Sequence, residues 1–168
     1  MDKVSYKVAF SAFKPEQVIF VISVDSRKMP SGMIAGWSMK CSFEPPLYAV
    51  ALWEKGYTHK LIDQSKEFVV AVPNKDLEKA VRVFGTRHGN KIDKFEETKL
   101  KTKKAKFVSV PLILEATINM ECKVVDRYIT GDHIIYIGEV LASYLDKKKK
   151  ILVNMRSSKK DRWIFREI

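Results

Sequence analysis

Met29-Pro-Ser-Gly-Met-Ile-Ala-Gly-Trp-Ser-Met-Lys-Cys-Ser-Phe-Glu-Pro-Pro46 is the stretch that carries most information about the fold. Its small residues would let a planar ligand lie close to backbone N–H groups, and its serines offer hydroxyls to a carbonyl or a phosphate. Trp37 would add a broad apolar wall. On composition alone, a glycine-bearing strand with a buried tryptophan explains the same residues. The small residues are Gly32, Ala35 and Gly36, and the serines are Ser31, Ser38 and Ser42.

Extended segments surround this stretch. Residues 18–24 form a short β-branched run bounded by Pro15 and a charged turn, which is typical of a buried strand. We predict two more strands over residues 32–40 and 47–52. The loop between them lies at Glu44-Pro45-Pro46, because proline has no N–H to donate to a ladder. Together the three strands should form an opening β-meander.

Two helices are predicted next. Residues 57–66 have apolar side chains at helical spacing, and residues 68–72 then return as a strand. Asn74 or Asp76 can cap a second helix over residues 77–84, which we expect Gly85 and Gly89 to end. Both helices should cover a sheet.

The C-terminal half of the sequence is rich in strands. Residues 113–127 and 133–145 flank a glycine-containing turn at residues 128–132, a pattern that indicates a long hairpin. Short strands should follow at residues 151–153 and 163–165. The sequence therefore predicts a mainly β fold, a β-barrel with helical decoration rather than a doubly wound α/β fold.

Size and composition favour one domain over residues 1–168. The formal net charge of +11 attracts anions in general without choosing among them. Cys41 and Cys122 are distant and have no neighbour at metal-ligand spacing, so neither a metal site nor a disulfide is expected. The strongest apolar run, residues 18–24, is too short to cross a membrane. We expect a cytoplasmic protein without a membrane partner.

Two lysine-rich segments lie at residues 99–106 and 147–150. The simplest interpretation is a solvated face. A nucleic-acid-binding surface would interleave basic residues with exposed aromatic residues that stack on bases, and the first segment has none before Phe107. Nucleic acid is therefore not the favoured partner.

Several motifs in order along the chain resemble the flavin-reductase-like family of flavoredoxin type. The resemblance covers residues 14–145, and the ordered set is far more specific than any single motif. It implies an FMN-binding, six-stranded split β-barrel that forms a homodimer with the flavins near the subunit interface. The motifs are Ser31-Gly-Met-Ile-Ala-Gly-Trp37, Cys41-Ser-Phe-Glu-Pro-Pro46, Tyr57-Thr58-x-x-Leu61-Ile62, Gly89-x-x-x-Asp93-Lys94-Phe95 and Gly131-Asp132-His133.

The resemblance also implies roles for individual residues. Ser31 stands where the family has asparagine beside the flavin ring, and Trp37 should lie against the flavin. Thr58 would donate to phosphate or ribityl oxygens, and Lys94 would be the cation. His133 is the candidate catalytic residue, near the ring face where a nicotinamide would approach. The full cofactor-binding set is Ser31, Met33, Ala35, Gly36, Trp37, Ser38, Ser42, Thr58, Lys94 and Phe165, with Trp163 as the alternative to Phe165.

Each of these residues also has a simpler interpretation. Thr58 could cap its helix, Lys94 could be a solvated surface lysine, and His133 could be exposed beside a hairpin turn. An isolated thiol such as Cys41 is more often a small buried hydrophobic residue than a redox group.

Three functions are compatible with the sequence. The first is a flavin reductase that takes electrons from NADH or NADPH through FMN, with FAD less favoured because no adenine-binding extension is recognisable. The second is a flavoredoxin-like electron carrier with a protein redox partner. The third is a non-catalytic basic β-barrel that binds nucleic acid. No Gly-x-Gly-x-x-Gly unit follows a strand, so a Rossmann-type nicotinamide site is not indicated.

Overall fold

The computed structural model describes residues 1–156 and 163–168. Helices are α1 (Tyr6–Ala12), α2 (Thr58–Ser65), α3 (Glu78–Thr86) and α4 (Lys94–Thr98), and a 3-10 turn at Lys75–Leu77 precedes α3. Strands are β1 (Glu16–Gln17), β2 (Ile19–Val24), β3 (Pro30–Ala35), β4 (Ser38–Phe43), β5 (Pro46–Trp53), β6 (Glu67–Val72), β7 (Thr102–Lys103), β8 (Leu112–Ile113), β9 (Ile118–Thr130), β10 (His133–Leu145), β11 (Leu152–Arg156) and β12 (Ile164–Glu167).

The main sheet has seven antiparallel strands in the order β3-β2-β6-β9-β10-β5-β4. Its two edges, β3 and β4, are consecutive in the chain, and in the described residues no ladder joins them. This is the mainly β, split-barrel fold that the sequence predicts, with seven strands in the sheet rather than six.

The predicted single strand over residues 32–40 is wrong, and so is the continuous meander. The chain leaves the β2 ladder at Ala35, which pairs with Ile19, and joins β5 at Ser38, which pairs with Val50. Gly36 and Trp37 lie between these ladders, so one extended segment becomes the two edges of the sheet. Sequence periodicity alone does not distinguish a continuous strand from two strands that change partners.

Strand β2 is apolar except for Ser23, whose hydroxyl donates to the carbonyl oxygen of Glu67, and it is buried because both of its faces are covered. Phe20 and Ile22 belong to one core cluster, whereas Ile19 and Val21 belong to the other. Successive side chains of a strand point to opposite faces, so a strand buried on both sides lacks polar alternation. Helix α3 covers the first cluster, with the Phe84 ring 5.1 Å from the Phe20 ring in an edge-to-face contact.

The long hairpin β9–β10 confirms the C-terminal prediction, although its first strand begins at Ile118 rather than at residue 113 and its turn is tighter than expected. Both strands extend to a two-residue connection at Gly131 and Asp132, where Gly131 has φ +63. A side chain would be strained in this left-handed conformation, so glycine suits the position. The turn makes His133 the first residue of β10, opposite Thr130 on β9 and Trp53 on β5.

Several elements differ from the sequence predictions. Helix α1 was not expected. Helix α4 was also not expected, although Asp93 caps it by accepting from the backbone N–H groups of Phe95 and Glu96. Helix α3 includes Gly85 and ends at Thr86, before Gly89. In the described ranges, no helix has the length and apolar composition needed to cross a membrane.

Candidate functional site

A cleft of about 400 Å³ lies between β3, the start of α2 and the end of α3. It brings together three residues that the sequence selects from distant motifs, Met33, Thr58 and Lys94. Trp53 and Trp163 also line it. We call this space the Thr58–Lys94 cleft.

Thr58 is the first residue of α2 and is 2% exposed. The position before it, Tyr57, is the N-cap and makes no side-chain capping bond. Within the described chain the Thr58 hydroxyl has no hydrogen bond, so Thr58 is not the capping residue of the simpler interpretation. The first N–H groups of a helix also lack intrahelical partners. This end of the cleft therefore offers a hydroxyl and backbone donors to an anion.

Lys94 is 3% exposed, which excludes a solvated surface lysine. Its Nζ donates to the carbonyl oxygens of Gly32, at 2.8 Å, and Phe84, at 2.9 Å. Loss of solvation lowers the pKa of the ammonium to about 8. An ammonium has three N–H donors, so one remains beyond the two carbonyl bonds. Lys94 thus joins β3 to α3 and adds a buried positive charge to the cleft.

The C-terminal aromatic residue in the cleft is Trp163 rather than Phe165. The Trp163 ring lies against Gly85, where an added Cβ would come within 2.4 Å of Cη2. This close approach explains why glycine occupies the last turn of α3. Phe165 lies outside the cleft, 6.0 Å from the Trp163 ring and 5.1 Å from the guanidinium carbon of Arg82.

Arg87 and His88 line the cleft and were missed in the sequence analysis. The sequence could have indicated them, because both residues directly precede the motif Gly89-x-x-x-Asp93-Lys94-Phe95. The Arg87 side chain is mostly exposed, with Nε 4.0 Å from a carboxylate oxygen of Glu97. These residues place further nitrogen donors at the cleft.

Trp37, Gly36 and Ser38 line a second cavity of about 670 Å³, on the side of helix α1. The structure therefore does not bring them into the Thr58–Lys94 cleft. Trp37 is half exposed, and its ring stacks on His133 with centroids 4.7 Å apart. The Ser38 hydroxyl is already hydrogen-bonded within the protein, at 3.0 Å from the hydroxyl of Tyr48.

His133 lines neither of these two cavities but neighbours one lining residue of each. Its ring stacks on Trp37, while its backbone position is opposite Trp53, which lines the Thr58–Lys94 cleft. The Nδ1 atom is 2.7 Å from Oδ1 of Asp132. This hydrogen bond lowers the pKa of the Asp132 carboxyl. The stack and the carboxylate together fix the orientation of the imidazole ring.

The remaining predicted residues are dispersed. Ser31 is buried with an unbonded Oγ in the described structure, and it lines a pocket of about 310 Å³ that shares Tyr57 and Gly89 with the cleft. Ala35 belongs to the second core cluster. Ser42 lies on β4 opposite Leu47.

The two cysteines differ in environment. Cys41 is exposed, whereas burial raises the pKa of Cys122 to about 12. Over residues 1–156 and 163–168, no cluster of three or more His, Cys, Asp or Glu side chains could hold a metal ion.

Known proteins are similar to this chain in sequence. A protein of Archaeoglobus fulgidus is 43% identical over 118 residues, which is 70% of this chain and 67% of that protein. The ferric-chelate reductase (NAD(P)H) of the same organism is 26% identical over 88% of this chain and 82% of its own length. The aligned part is 63% of a Pyrococcus abyssi relative and 48% of an Aeropyrum pernix relative, so the chain spans about two thirds or less of these first relatives.

Solved structures share the fold. The flavoredoxin of Desulfovibrio vulgaris superposes with a TM-score of 0.86 at 22% identity, covering 99% of this chain and 93% of that protein. The NADH:FAD oxidoreductase of Streptomyces globisporus gives a TM-score of 0.85 at 24% identity, over 100% and 98% of the two chains. The model of the flavin reductase like domain matches residues 13–161. The chain therefore belongs to the flavin reductase like family.

Proposed function

We propose that this protein binds FMN in the Thr58–Lys94 cleft and acts as an NAD(P)H-dependent flavin oxidoreductase. The observation that carries the proposal is the pairing of two buried groups in one cleft. These are the unbonded hydroxyl of Thr58 at a helix N-terminus and the ammonium of Lys94. Both suit an anionic, oxygen-rich ligand.

The residues of the cleft fit the parts of such a cofactor. The hydroxyl of Thr58 and the backbone N–H groups of Thr58 and His59 would bind the phosphate, because they have no competing partner in the described chain, whereas the N–H of Lys60 already donates to the carbonyl of Tyr57. Lys94 would stabilise negative charge on the ligand through its third N–H. Met33, Trp53 and Trp163 supply the apolar and aromatic surface that a flat ring needs.

Flavin, when bound, supplies a ring that accepts a hydride from nicotinamide. The protein contributes position and electrostatics. His133 would orient the nicotinamide, since its ring is fixed by Trp37 and Asp132 beside the strand residue Trp53. The buried charge of Lys94 would already be in place when negative charge develops on the ligand, so little reorganisation would be needed.

Three relatives support the reaction class by their names. One is a ferric-chelate reductase (NAD(P)H), one is an NADH-dependent FAD reductase of Streptomyces globisporus, and a structural neighbour is described as an NADH:FAD oxidoreductase in complex with NAD and FAD fragments. We favour FMN over FAD because FMN is the cofactor that the motif resemblance implies. The choice between NADH and NADPH, the homodimer and the cytoplasmic location stay predictions.

Reconstitution tests the proposal. Apo-protein is titrated with FMN and with FAD while flavin fluorescence is followed, and the holo-protein is then mixed anaerobically with NADH and with NADPH. We expect tighter binding of FMN and rapid bleaching of the oxidised flavin by one or both nucleotides. Failure to bind either flavin would contradict the proposal and leave the basic, nucleic-acid-binding barrel.

A flavoredoxin-like electron carrier is the second candidate function. It is favoured by the structural similarity to the Desulfovibrio vulgaris flavoredoxin. The same anaerobic experiment separates the two. A carrier would bind FMN but would be reduced only slowly by either nucleotide, and a protein redox partner would supply its electrons.

A further inference from the structure

Two lysine-rich segments that are far apart in sequence meet at one groove of about 430 Å³. Lys103 lies on β7, in the first segment, and Lys147 and Lys148 follow the end of β10, in the second. All three side chains are exposed and line the groove. We call it the lysine groove. It shares no lining residue with the Thr58–Lys94 cleft.

The lysine groove has an apolar base and two exposed leucines. Leu112 and Ile113 of β8 are buried beneath it, whereas Leu114 and Leu145 are each more than half exposed. Apolar residues at the centre and charged residues at the rim are the usual arrangement of a protein interface. The two exposed leucines and the three lysines line the same groove, so the surface is amphipathic.

The positive charges at the rim of the groove are not neutralised by neighbouring acidic residues in the described structure. In the described structure, Lys103, Lys147 and Lys148 take part in no salt bridge. The acidic residue of the groove, Asp146, is already engaged, since one of its carboxylate oxygens is 3.6 Å from Nζ of Lys149 and the other accepts from the backbone N–H of Lys148. The groove therefore has a local excess of positive charge to offer to a partner.

We propose that the lysine groove binds an acidic segment of a partner protein, with leucine or similar apolar residues set among its carboxylates. Lysines at a rim steer an acidic partner into place, while the leucines supply the apolar contact. Nucleic acid fits less well, because it would leave the leucines without an apolar partner. Phe107, the exposed aromatic residue that follows the first lysine segment, does not line the groove, and its ring contacts the ammonium of Lys106 at 5.0 Å from the centroid. The inference does not depend on flavin binding.

Fluorescence anisotropy with two labelled peptides tests the inference on the full chain. One short peptide alternates glutamate with leucine, and the other alternates glutamate with glycine at equal charge. A single-stranded oligo-dT is the third probe. The groove variant combines Lys103→Glu, Lys147→Glu and Lys148→Glu. The matched control combines Lys60→Glu, Lys79→Glu and Lys123→Glu, three exposed lysines outside the groove.

We expect the protein to prefer the glutamate–leucine peptide, and the groove variant to bind it at least about tenfold more weakly while the control variant loses much less. The double variant Leu114→Ser and Leu145→Ser should lose the preference between the two peptides and keep the native circular dichroism spectrum. Equal losses in the groove and control variants, or equal binding of both peptides by the wild type, would overturn the inference. Tighter binding of oligo-dT than of either peptide, weakened by the groove variant, would reassign the surface to nucleic acid.

Discussion

At the scale of single residues, the Thr58–Lys94 cleft combines a buried hydroxyl with a buried ammonium. Burial of a hydroxyl or an ammonium opposes folding unless hydrogen bonds compensate. Two carbonyl oxygens accept hydrogen bonds from Lys94 and offset part of the cost of its burial. The Thr58 hydroxyl has no hydrogen bond within the described chain. A bound ligand would supply the missing hydrogen-bond partners of these two groups.

Replacement of Thr58 by valine should weaken FMN binding by about 1.5–3 kcal/mol, because a phosphate oxygen would lose a donor in a buried site. Fluorescence titration of apo-protein with FMN measures the change. The control is Thr102→Val, the same substitution at an exposed position of β7. Unchanged affinity in the Thr58 variant would remove its hydroxyl from the site.

The pKa of Lys94 predicts how FMN affinity depends on pH. Burial lowers this pKa from 10.5 to about 8, so the free protein loses the positive charge above pH 8 and must regain a proton to pair with an anion. FMN should bind roughly tenfold more weakly at pH 9 than at pH 7. Lys94→Arg, which stays charged, should bind with a nearly constant affinity over this range. A wild-type affinity that does not change between pH 7 and pH 9 would contradict the role of Lys94.

The same pKa predicts the opposite effect of pH on folding stability, which should increase as FMN affinity falls. In the unfolded chain Lys94 keeps its proton up to about pH 10.5, whereas the folded chain releases it near pH 8. The unfolded state therefore binds more protons between these values, and this residue adds stability as pH rises through that window. Urea unfolding of the apo-protein at pH 7 and pH 9 separates this effect from ligand binding.

His133→Ala should leave FMN affinity nearly intact and slow flavin reduction by NAD(P)H about tenfold to a thousandfold. This is the size of one or two oriented contacts made mainly in the transition state. Stopped-flow bleaching of the oxidised flavin measures the rate, with wild type and variant at matched FMN occupancy. Equal rates would remove His133 from the mechanism, and loss of FMN without a separate rate effect would make it a cofactor-binding residue only.

At the scale of elements, strand β9 anchors the loop that precedes β8. Glu121 of β9 is fully buried, and its carboxylate accepts from the backbone N–H groups of Lys106, Phe107 and Val108 and from the hydroxyl of Tyr144. Burial opposes ionisation, but these hydrogen bonds outweigh it and lower the pKa of the carboxyl. One side chain thus holds a whole loop against the sheet.

Glu121→Gln should destabilise the fold by about 1–3 kcal/mol, because an amide NH₂ would face backbone donors that need an acceptor. Urea unfolding at pH 7 measures the loss, and Glu96→Gln, at an exposed position of α4, is the matched control. The lowered pKa means that this stabilisation is present above the unfolded pKa and is lost as pH falls through the folded value. The difference between wild type and variant should therefore shrink in acid.

At the scale of the whole molecule, exposed apolar side chains cluster on the N-terminal segment and on β4. Helix α1 has no buried residue, and Phe13 and Phe43 are 87% and 90% exposed. Apolar surface of this kind often marks a protein interface. It supports the homodimer that the family resemblance implies.

Light scattering in solution should therefore give a mass of twice 19.4 kDa. Replacement of both Phe13 and Phe43 by serine should weaken the dimer, whereas Val125→Ser, at an exposed position of β9, should not. A mass of 19.4 kDa for the wild type over a broad range of concentrations would contradict the homodimer.

The sequence by itself determined the fold class and most elements. Apolar runs, prolines and the glycine of the hairpin turn are local signals, so β2, α2, β6, α3 and the β9–β10 hairpin were predictable. The motifs also selected Met33, Thr58 and Lys94, which share a cleft. These properties depend on neighbours within a few residues or on an ordered pattern along the chain.

Only the tertiary structure decided which of the selected residues meet. The change of ladder at Gly36 and Trp37 depends on pairing with β2 and β5, so no local signal shows that Trp37 lies in a different cavity from Thr58. The burial of Lys94 depends on the backbone of β3 and α3, which fold around it from elsewhere in the chain. Likewise, the two lysine segments look like separate solvated runs until the fold brings residues of both to one groove. Contacts between distant segments are set by strand pairing, which the spacing of residues along the chain does not encode.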